Sequence, residues 1–395
     1  MFKPIRERLA KYTAPQEAKK RGVYPYFRAI SSDQDSEVLM NGKKVIMFGS
    51  NSYLGLTNHP KIKEASKQAI DKYGTGCAGS PFLNGTLDLH LELEEKLAKF
   101  LNKDGVMLYS TGFHANIGTI PSVTGRNDYI IYDERDHASI IEGKRLSFAS
   151  DVKFKHNDME DLERVLERCD PNKMKFIVVD SVFSMEGDVI KLDKMVELAE
   201  KYQVTIMLDE AHGLGVLGNQ GRGVHDHFGL TDKCDIIMGT FSKSLASIGG
   251  FVAADAETIN WMKHTSRSYI FSASISPAAT AAASMALDIM VSEPERQENL
   301  WKNTRHALKS FRDLGFEIGN TETPIIPLFV RDMEKTFMAT KMLLDEGIFV
   351  TPVMTPAVAP EETLIRFSLM ATHTIPQIDF AVDKLYNCFK QLEVL

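Results

Sequence analysis

"DIIMGTFSKSLASIGGFVAAD", residues 235–255, sets one lysine between two apolar runs. Residues 236–238 read as a buried strand that ends in Gly239-Thr240-Phe241-Ser242, and the second run opens at Gly249. Short continuous apolar runs closed by glycine fit strands covered on both faces, as in a parallel sheet with helices on each side. Lys243 therefore stands at the mouth of a buried sheet, where a cation needs a chemical reason.

Working outward, the chain from about 60 to 295 alternates helical periods with short apolar strands. These are "VMLYS" (106–110), "YIIYD" (129–133), "FIVVD" (176–180), "TIMLD" (205–209), "IIMG" (236–239) and "GFVAAD" (250–255). Strands separated by helix-length segments predict an α/β fold with a largely parallel sheet covered by helices. In "NDMEDLERVLERC" Asn157 is the expected cap, Glu160 closes a capping box, and Met159, Leu162, Val165 and Leu166 form an apolar stripe. After the helical pattern of 294–315, short strands surround the helix "KTFMATKMLLDEG". The expected division is an N-terminal arm (1–45), a large domain (46–299) and a smaller α+β domain (300–395).

The chain has 395 residues, 44% hydrophobic and 25% charged, with a net charge of −7. That is an ordinary globular composition, and it lacks the basic excess of a nucleic-acid binder. Cys77, Cys169, Cys234 and Cys388 form no C-x-x-C pair, so neither a metal site nor a disulfide framework is expected, and a reducing cytoplasm fits. The most apolar segment, "SPAATAAASMALDIMV" (276–291), is too short and Asp-interrupted to span a bilayer. The composition leaves open a peripheral membrane contact through the N-terminal arm or the loop 351–362.

Ligands of such sheets sit at the carboxyl ends of the strands. Asp209 ends "TIMLD", Lys243 follows the next strand, Ser184 follows "FIVVD", and His137 follows "YIIYDERD". Singly, each has an ordinary reading as a cap, a structural histidine or a solvated lysine. Jointly they describe one chemistry, in which a lysine captures an aldehyde cofactor and a carboxylate keeps that cofactor's pyridine nitrogen protonated. Asp209 and Lys243 are 34 residues apart, one strand–helix–strand unit. "TGFHANIG" (111–118) then reads as a loop opening a helix whose N–H groups cradle a phosphate. The glycines of "GLGVLG" (213–218) make a poor dinucleotide fingerprint, because Asp-Glu-Ala-His fills the turn after the strand.

Eight motifs, in order along nearly the whole chain, carry a resemblance: "FGSNSYLGL" (48–56), "YGTGCAGSPFLNGTLDLHLELEEKLA" (73–98), "STGFHAN" (110–116), "DERDHASI" (133–140), "VFSMEGD" (182–188), "LDEAHGLGVLG" (208–218), "GTFSKSLASIGGF" (239–251) and "IRFSLMATHT" (365–374). The chain resembles the α-oxoamine synthases, fold-type I pyridoxal 5'-phosphate enzymes that condense an amino acid with an acyl thioester and lose CO2. The resemblance implies that Lys243 carries the cofactor, Asp209 contacts the pyridinium, His212 bonds the phenolic oxygen, and His137 stacks on the ring beside Ser184. It implies that Thr240 and the backbone of Gly112 and Phe113 hold the phosphate. It also implies a homodimer with shared sites, Ser272 reaching the neighbour's phosphate, and Asn51, Tyr53 and Ser80 meeting substrate. Arg366 is expected to hold the amino acid's carboxylate.

The motifs are most similar to members that join L-serine to a long-chain acyl group, carried on coenzyme A or on acyl carrier protein. Cysteate, glycine and alanine remain alternative amino acids, and a non-catalytic cofactor-binding protein is the alternative of another class. Where close relatives read G-S-R-F, this chain reads Gly79-Ser80-Pro81-Phe82, which replaces a cation by a ring with no N–H.

Overall fold

The structure is a computed structural model that describes residues 3–355 and 357–395. The first two strands, β1 (Glu37–Met40) and β2 (Lys43–Met47), form a hairpin in which Met40 faces Lys43. Asn41 and Gly42 make its turn, both with positive φ (50° and 75°), the conformation that two-residue hairpins select Asn-Gly for.

Seven strands build the main sheet: β3 (Gly105–Tyr109), β4 (Tyr129–Asp133), β5 (Ser150–Phe154), β6 (Lys175–Asp180), β7 (Thr205–Asp209), β8 (Ile236–Thr240) and β9 (Gly250–Ala254). Their order is β3-β9-β8-β7-β6-β4-β5. Only β9 runs against its neighbours, because the nine residues from 241 to 249 are too few for a helical crossover. The sheet is otherwise parallel, as the alternation of strands and helices implies.

Side chains alternate strictly across this sheet. Phe176 and Val178 of β6 pack with Met107, Ile120 and Ile140 on one face, while Ile177 and Val179 join Leu162, Leu166 and Met195 on the other. All of these are buried, and burying each side chain stabilises the fold by roughly 1.5–3 kcal/mol. The edge strand β5, "SDVKF", has no apolar run, and the sequence pattern does not reveal it.

The helix Met159–Arg168 buries Leu162, Val165 and Leu166 as its stripe requires, but its cap is Asp158, not Asn157. Asp158 accepts from the backbone of Asp161 at 3.0 Å. Asn157 precedes it at φ 51°, bonding Val189 and Lys191 instead, which suits a residue that tolerates the left-handed region.

The helix Glu295–Asp313 carries the chain from the main sheet to β10 (Ile325–Phe329). The helix Met333–Asp345, β11 (Ile348–Phe349), β12 (Thr351–Val353), β13 (Leu364–Ser368) and the helix Ile375–Gln391 follow. β10, β13 and β12 form an antiparallel sheet, whereas β11 adds to β2, so the N-terminal hairpin is completed by the C-terminal region. Among the described residues no helix is long and apolar enough to cross a membrane.

Candidate active site

The carboxyl ends of β4, β6, β7 and β8 deliver one residue after another to the same cavity. His137 N-caps the helix Ala138–Leu146, its Nδ1 meeting the hydroxyl of Ser139 at 2.7 Å. Its own backbone N–H donates to Asp180 Oδ2 at 2.7 Å. Asp180 and Asp209 end their strands in register, so two buried carboxylates lie side by side. Burial and the adjacent Asp209 push Asp180 well above the usual carboxylate range, since like charges this close resist joint ionisation. Asp209 accepts from Asn116 Nδ2 at 2.7 Å on one oxygen and from the backbone of Ala211 at 2.9 Å on the other. Neither partner is a cation.

Lys243 projects from the turn between β8 and β9 into this group, and its amine makes no side-chain hydrogen bond among the described residues. Burial pushes it down to about 8; Asp209 and Asp180 resist that shift, and Arg366 adds to it. A neutral amine attacks an aldehyde and an ammonium does not. Capture of an aldehyde by the cofactor-free chain should therefore accelerate as pH rises through about 8 and level off above it, read as the rate of absorbance change from pH 6.5 to 9.5. An inflection at the ordinary lysine value, near 10.4, would remove the role claimed for burial.

Arg366, on β13, enters from the smaller sheet. It donates from Nε to the carbonyl of Ser184 (2.6 Å), from Nη1 to Ser368 Oγ (2.7 Å) and from Nη2 to the hydroxyl of Tyr53 (3.3 Å). A guanidinium has five N–H donors, so two are left over. All three acceptors are neutral, which leaves a buried cation (5% exposed) without a compensating anion among its bonds. Tyr53 passes the chain on, because its hydroxyl meets His212 Nδ1 at 2.7 Å. Burial and the charges of Lys243 and Arg366 push His212 well below its ordinary value, so the imidazole is neutral. With Arg366 donating to the Tyr53 oxygen, the Tyr53 proton goes to Nδ1, and Nε2 carries the histidine's own proton toward the cavity.

The expected phosphate-binding turn lies where β3 leads into the helix Gly112–Val123. Thr111 caps that helix by accepting from the backbone of His114 at 3.0 Å. Helix geometry leaves the N–H groups of Gly112 and Phe113 free of intrahelical acceptors. A Cβ on Gly112 would come within 2.9 Å of the Thr240 side chain, so only glycine lets the loop close against β8.

A cavity of about 450 Å3 has Asn51, His137, Ser184, His212, Lys243 and Arg366 on its wall, whereas Asp209, Thr240, Gly112 and Phe113 do not line it. Asn51 Oδ1 is buried and has no partner there. Tyr53, expected to meet substrate, is instead fully buried behind Arg366 and His212, where its hydroxyl is worth more as a bridge than at a wet mouth. Ser80 is not on this wall. It is buried in the turn before the helix Asp88–Leu101, and Pro81 beside it lines a separate cavity with Glu94, Lys263 and Tyr269. Ser272 lies near that turn, in a loop tied to it by Ser274 N donating to Gly79 O at 3.0 Å. Asn116, Ser139 and Asp180 were not expected as site residues; Asp180 closes "FIVVD" as Asp209 closes "TIMLD", and Asn116 lies within "STGFHAN".

A model of the family described as aminotransferase class I and II matches residues 43–385. The chain belongs to this family. Within it, a serine palmitoyltransferase of Bacteroides ovatus is 61% identical over 391 residues, covering 99% of each chain. One of Sphingobacterium spiritivorum is 57% identical over 390 residues, covering 99% of this chain and 98% of the relative. A solved serine palmitoyltransferase of S. paucimobilis, with a bound PLP–myriocin aldimine, superposes with a TM-score of 0.95 at 33% identity, covering 98% of each chain. The resemblance to α-oxoamine synthases read from the motifs is thereby borne out.

The residues present fit pyridoxal 5'-phosphate. Asp209 is a buried carboxylate whose hydrogen bonds come only from neutral donors, Lys243 is an amine held near neutrality, His212 turns a donor inward, and Gly112 leaves no room for a side chain where a phosphate would meet backbone N–H groups.

Proposed function

We propose that this chain condenses L-serine with a long-chain acyl thioester, giving 3-ketosphinganine, CO2 and free thiol, with pyridoxal 5'-phosphate as its cofactor. The observation that carries this reading is Arg366, a buried cation with neutral partners and two spare donors, on the same cavity wall as Lys243. That arrangement asks for a small molecule with a free carboxylate. The match to serine palmitoyltransferases at 61% and 57% identity supports serine as the amino acid.

When bound, the cofactor supplies an electron sink for the bonds broken at the amino acid's α-carbon. The chain's own residues do the rest. Arg366 fixes the carboxylate, Asp209 favours a protonated ring nitrogen, His212 donates Nε2–H to the ring oxygen, and His137 covers a face of the site. The neutral amine of Lys243 takes the α-proton and returns one after CO2 has left. Overall one C–C bond forms to the acyl carbon, the C–S bond breaks, and the carboxylate leaves as CO2.

Several assignments rest on this reading. Thr240, Gly112 and Phe113 hold the phosphate, Ser184 stands beside the cofactor ring, and Asn51 meets the substrate. Ser272 serves the site of a second copy, and the exposed side chains of Phe271 (77%), Phe82 (51%) and Leu83 (78%) beside Ser272 and Ser80 in the sequence support a homodimer interface. The four free cysteines support a reducing cytoplasm.

The deciding measurement is product mass spectrometry with a C16 thioester and serine, cysteate, glycine or alanine in turn. Faster acylation of cysteate than of serine would replace the amino acid and leave the reaction type standing. Arg366→Ala should raise KM for serine by about 10–100-fold, the worth of a charged hydrogen-bond pair, and leave cofactor affinity nearly unchanged. Equal losses of both would mean that Arg366 is structural.

A further inference from the structure

The helices Gly112–Val123 and Ala138–Leu146 pack together along a seam of four residues. Asn116 and Ile120 stand one turn apart on the first, Ser139 and Gly143 one turn apart on the second, so each pair shares a face. A Cβ on Gly143 would come within 2.7 Å of Ile120 Cδ1 and 3.0 Å of the Asn116 carbonyl oxygen. Glycine there lets the helices close until the Asn116 side chain reaches Ser139 Oγ at 2.8 Å.

The protons along this seam can be assigned one by one. Asn116 Nδ2 carries two hydrogens, and gives one to Asp209 Oδ2 at 2.7 Å and the other to Ser139 Oγ. The opposite amide orientation would set oxygen against carboxylate oxygen. The backbone N–H of Ser139 lies 3.2 Å from His137 Nδ1, and since it can only donate, Nδ1 carries no proton. The Ser139 hydroxyl, 2.7 Å from the same nitrogen, then donates to it as well. Burial pushes His137 below its ordinary value, with Asp209 opposing and Lys243 adding to the shift. The ring is therefore neutral, with its proton on Nε2.

The fold gains little from this asparagine. Asn116 is fully buried, and its Oδ1 has no partner. An orphaned amide oxygen is destabilising, and an apolar side chain would fill the seam without one. The residue fits a task of its two N–H bonds. They connect the carboxylate at the end of β7 to the histidine whose own backbone is held by Asp180.

We propose that Asn116, acting through Ser139, is a positioning residue that ties Asp209 to His137 and fixes the two relative to each other around the cofactor. This rests on Asp209 and His137 flanking pyridoxal 5'-phosphate, as proposed above, and is independent of which amino acid is condensed. The first test uses the cofactor-free protein with isotope-labelled histidine, His137→Gln identifying the signal by NMR. His137 should carry its proton on Nε2; a proton on Nδ1 would overturn the assignment and the tie with it.

In the holoenzyme, Asn116→Ala should lower kcat by about 10–100-fold and Ser139→Ala by about 3–10-fold, and both should weaken the visible circular dichroism of the bound cofactor. The double variant should lose no more than Asn116→Ala alone, since both changes break one connection. Losses that multiply, or a lowered melting temperature with kcat and dichroism unchanged, would overturn the tie. Tautomer and dichroism report on it even where serine proves to be the wrong amino acid. An unaltered protein that binds no pyridoxal 5'-phosphate would overturn the placement of Asp209 and His137, and this proposal with it. Should Asn116→Ala fail to fold, a Ser139→Ala variant with the kcat and dichroism of the unaltered enzyme is sufficient to overturn it.

Discussion

Lys243→Ala should lower turnover by about 10⁴-fold or more while the protein stays folded. Among the described residues on the cavity wall, the amine alone offers a primary-amine nucleophile for an aldehyde together with a base near neutrality, and removing a proton-transfer group of that kind forfeits on the order of 10²–10⁴-fold by itself. The fold has little stake in it. Its Nζ makes no side-chain hydrogen bond among the described residues, so alanine orphans no partner, and thermal melting should move only slightly. Borohydride reduction of the cofactor-loaded, unaltered protein should fix the label on this residue, and the variant should lose it. Turnover above about one per cent of normal, or the label on another lysine, would show that the chemistry runs elsewhere.

Asp209→Asn should cost on the order of 10²-fold or more in turnover, the scale seen when a preorganised charge is removed from a dry site. A second, separable loss follows from the hydrogen bonds. Asp209 accepts on both oxygens, from Asn116 and from the backbone of Ala211. An amide has one accepting oxygen, so one buried donor loses its partner, which costs stability by about 1–3 kcal/mol. Chemical denaturation and steady-state kinetics read the two effects independently. Near-normal turnover with lowered stability would mean that Asp209 holds the loop but not the ring nitrogen.

The candidate site residues were legible where a strand announces them. Asp209 and Lys243 follow apolar runs, and a buried strand can end in a charge only for a reason. His137 and Ser184 likewise follow apolar strands, Arg366 was reached through the family motifs, and all three reach the same cavity. What the sequence hides is pairing over distance. Nothing local says that Asn116 meets Asp209, or that Tyr53 bridges Arg366 and His212 from 313 and 159 residues away. A tyrosine has an apolar body and a polar tip, so its pattern does not tell whether it faces solvent or interior. β5 was hidden for a different reason: an edge strand with one wet face needs no apolar run. Asn157 and Asp158 are equally good caps by residue type, and the Val189 and Lys191 backbone groups that claim Asn157 lie more than 30 residues on.

Arg366 is held by a carbonyl and two hydroxyls rather than by an acid, and its unbalanced charge is felt by its neighbours. It depresses both Lys243 and His212. A carboxylate seated on Arg366 would cancel that charge, and both groups would then gain proton affinity. On the proposed reading, an arriving carboxylate would raise the proton affinity of the amine beside it, and a guest without an acid group would leave it unchanged.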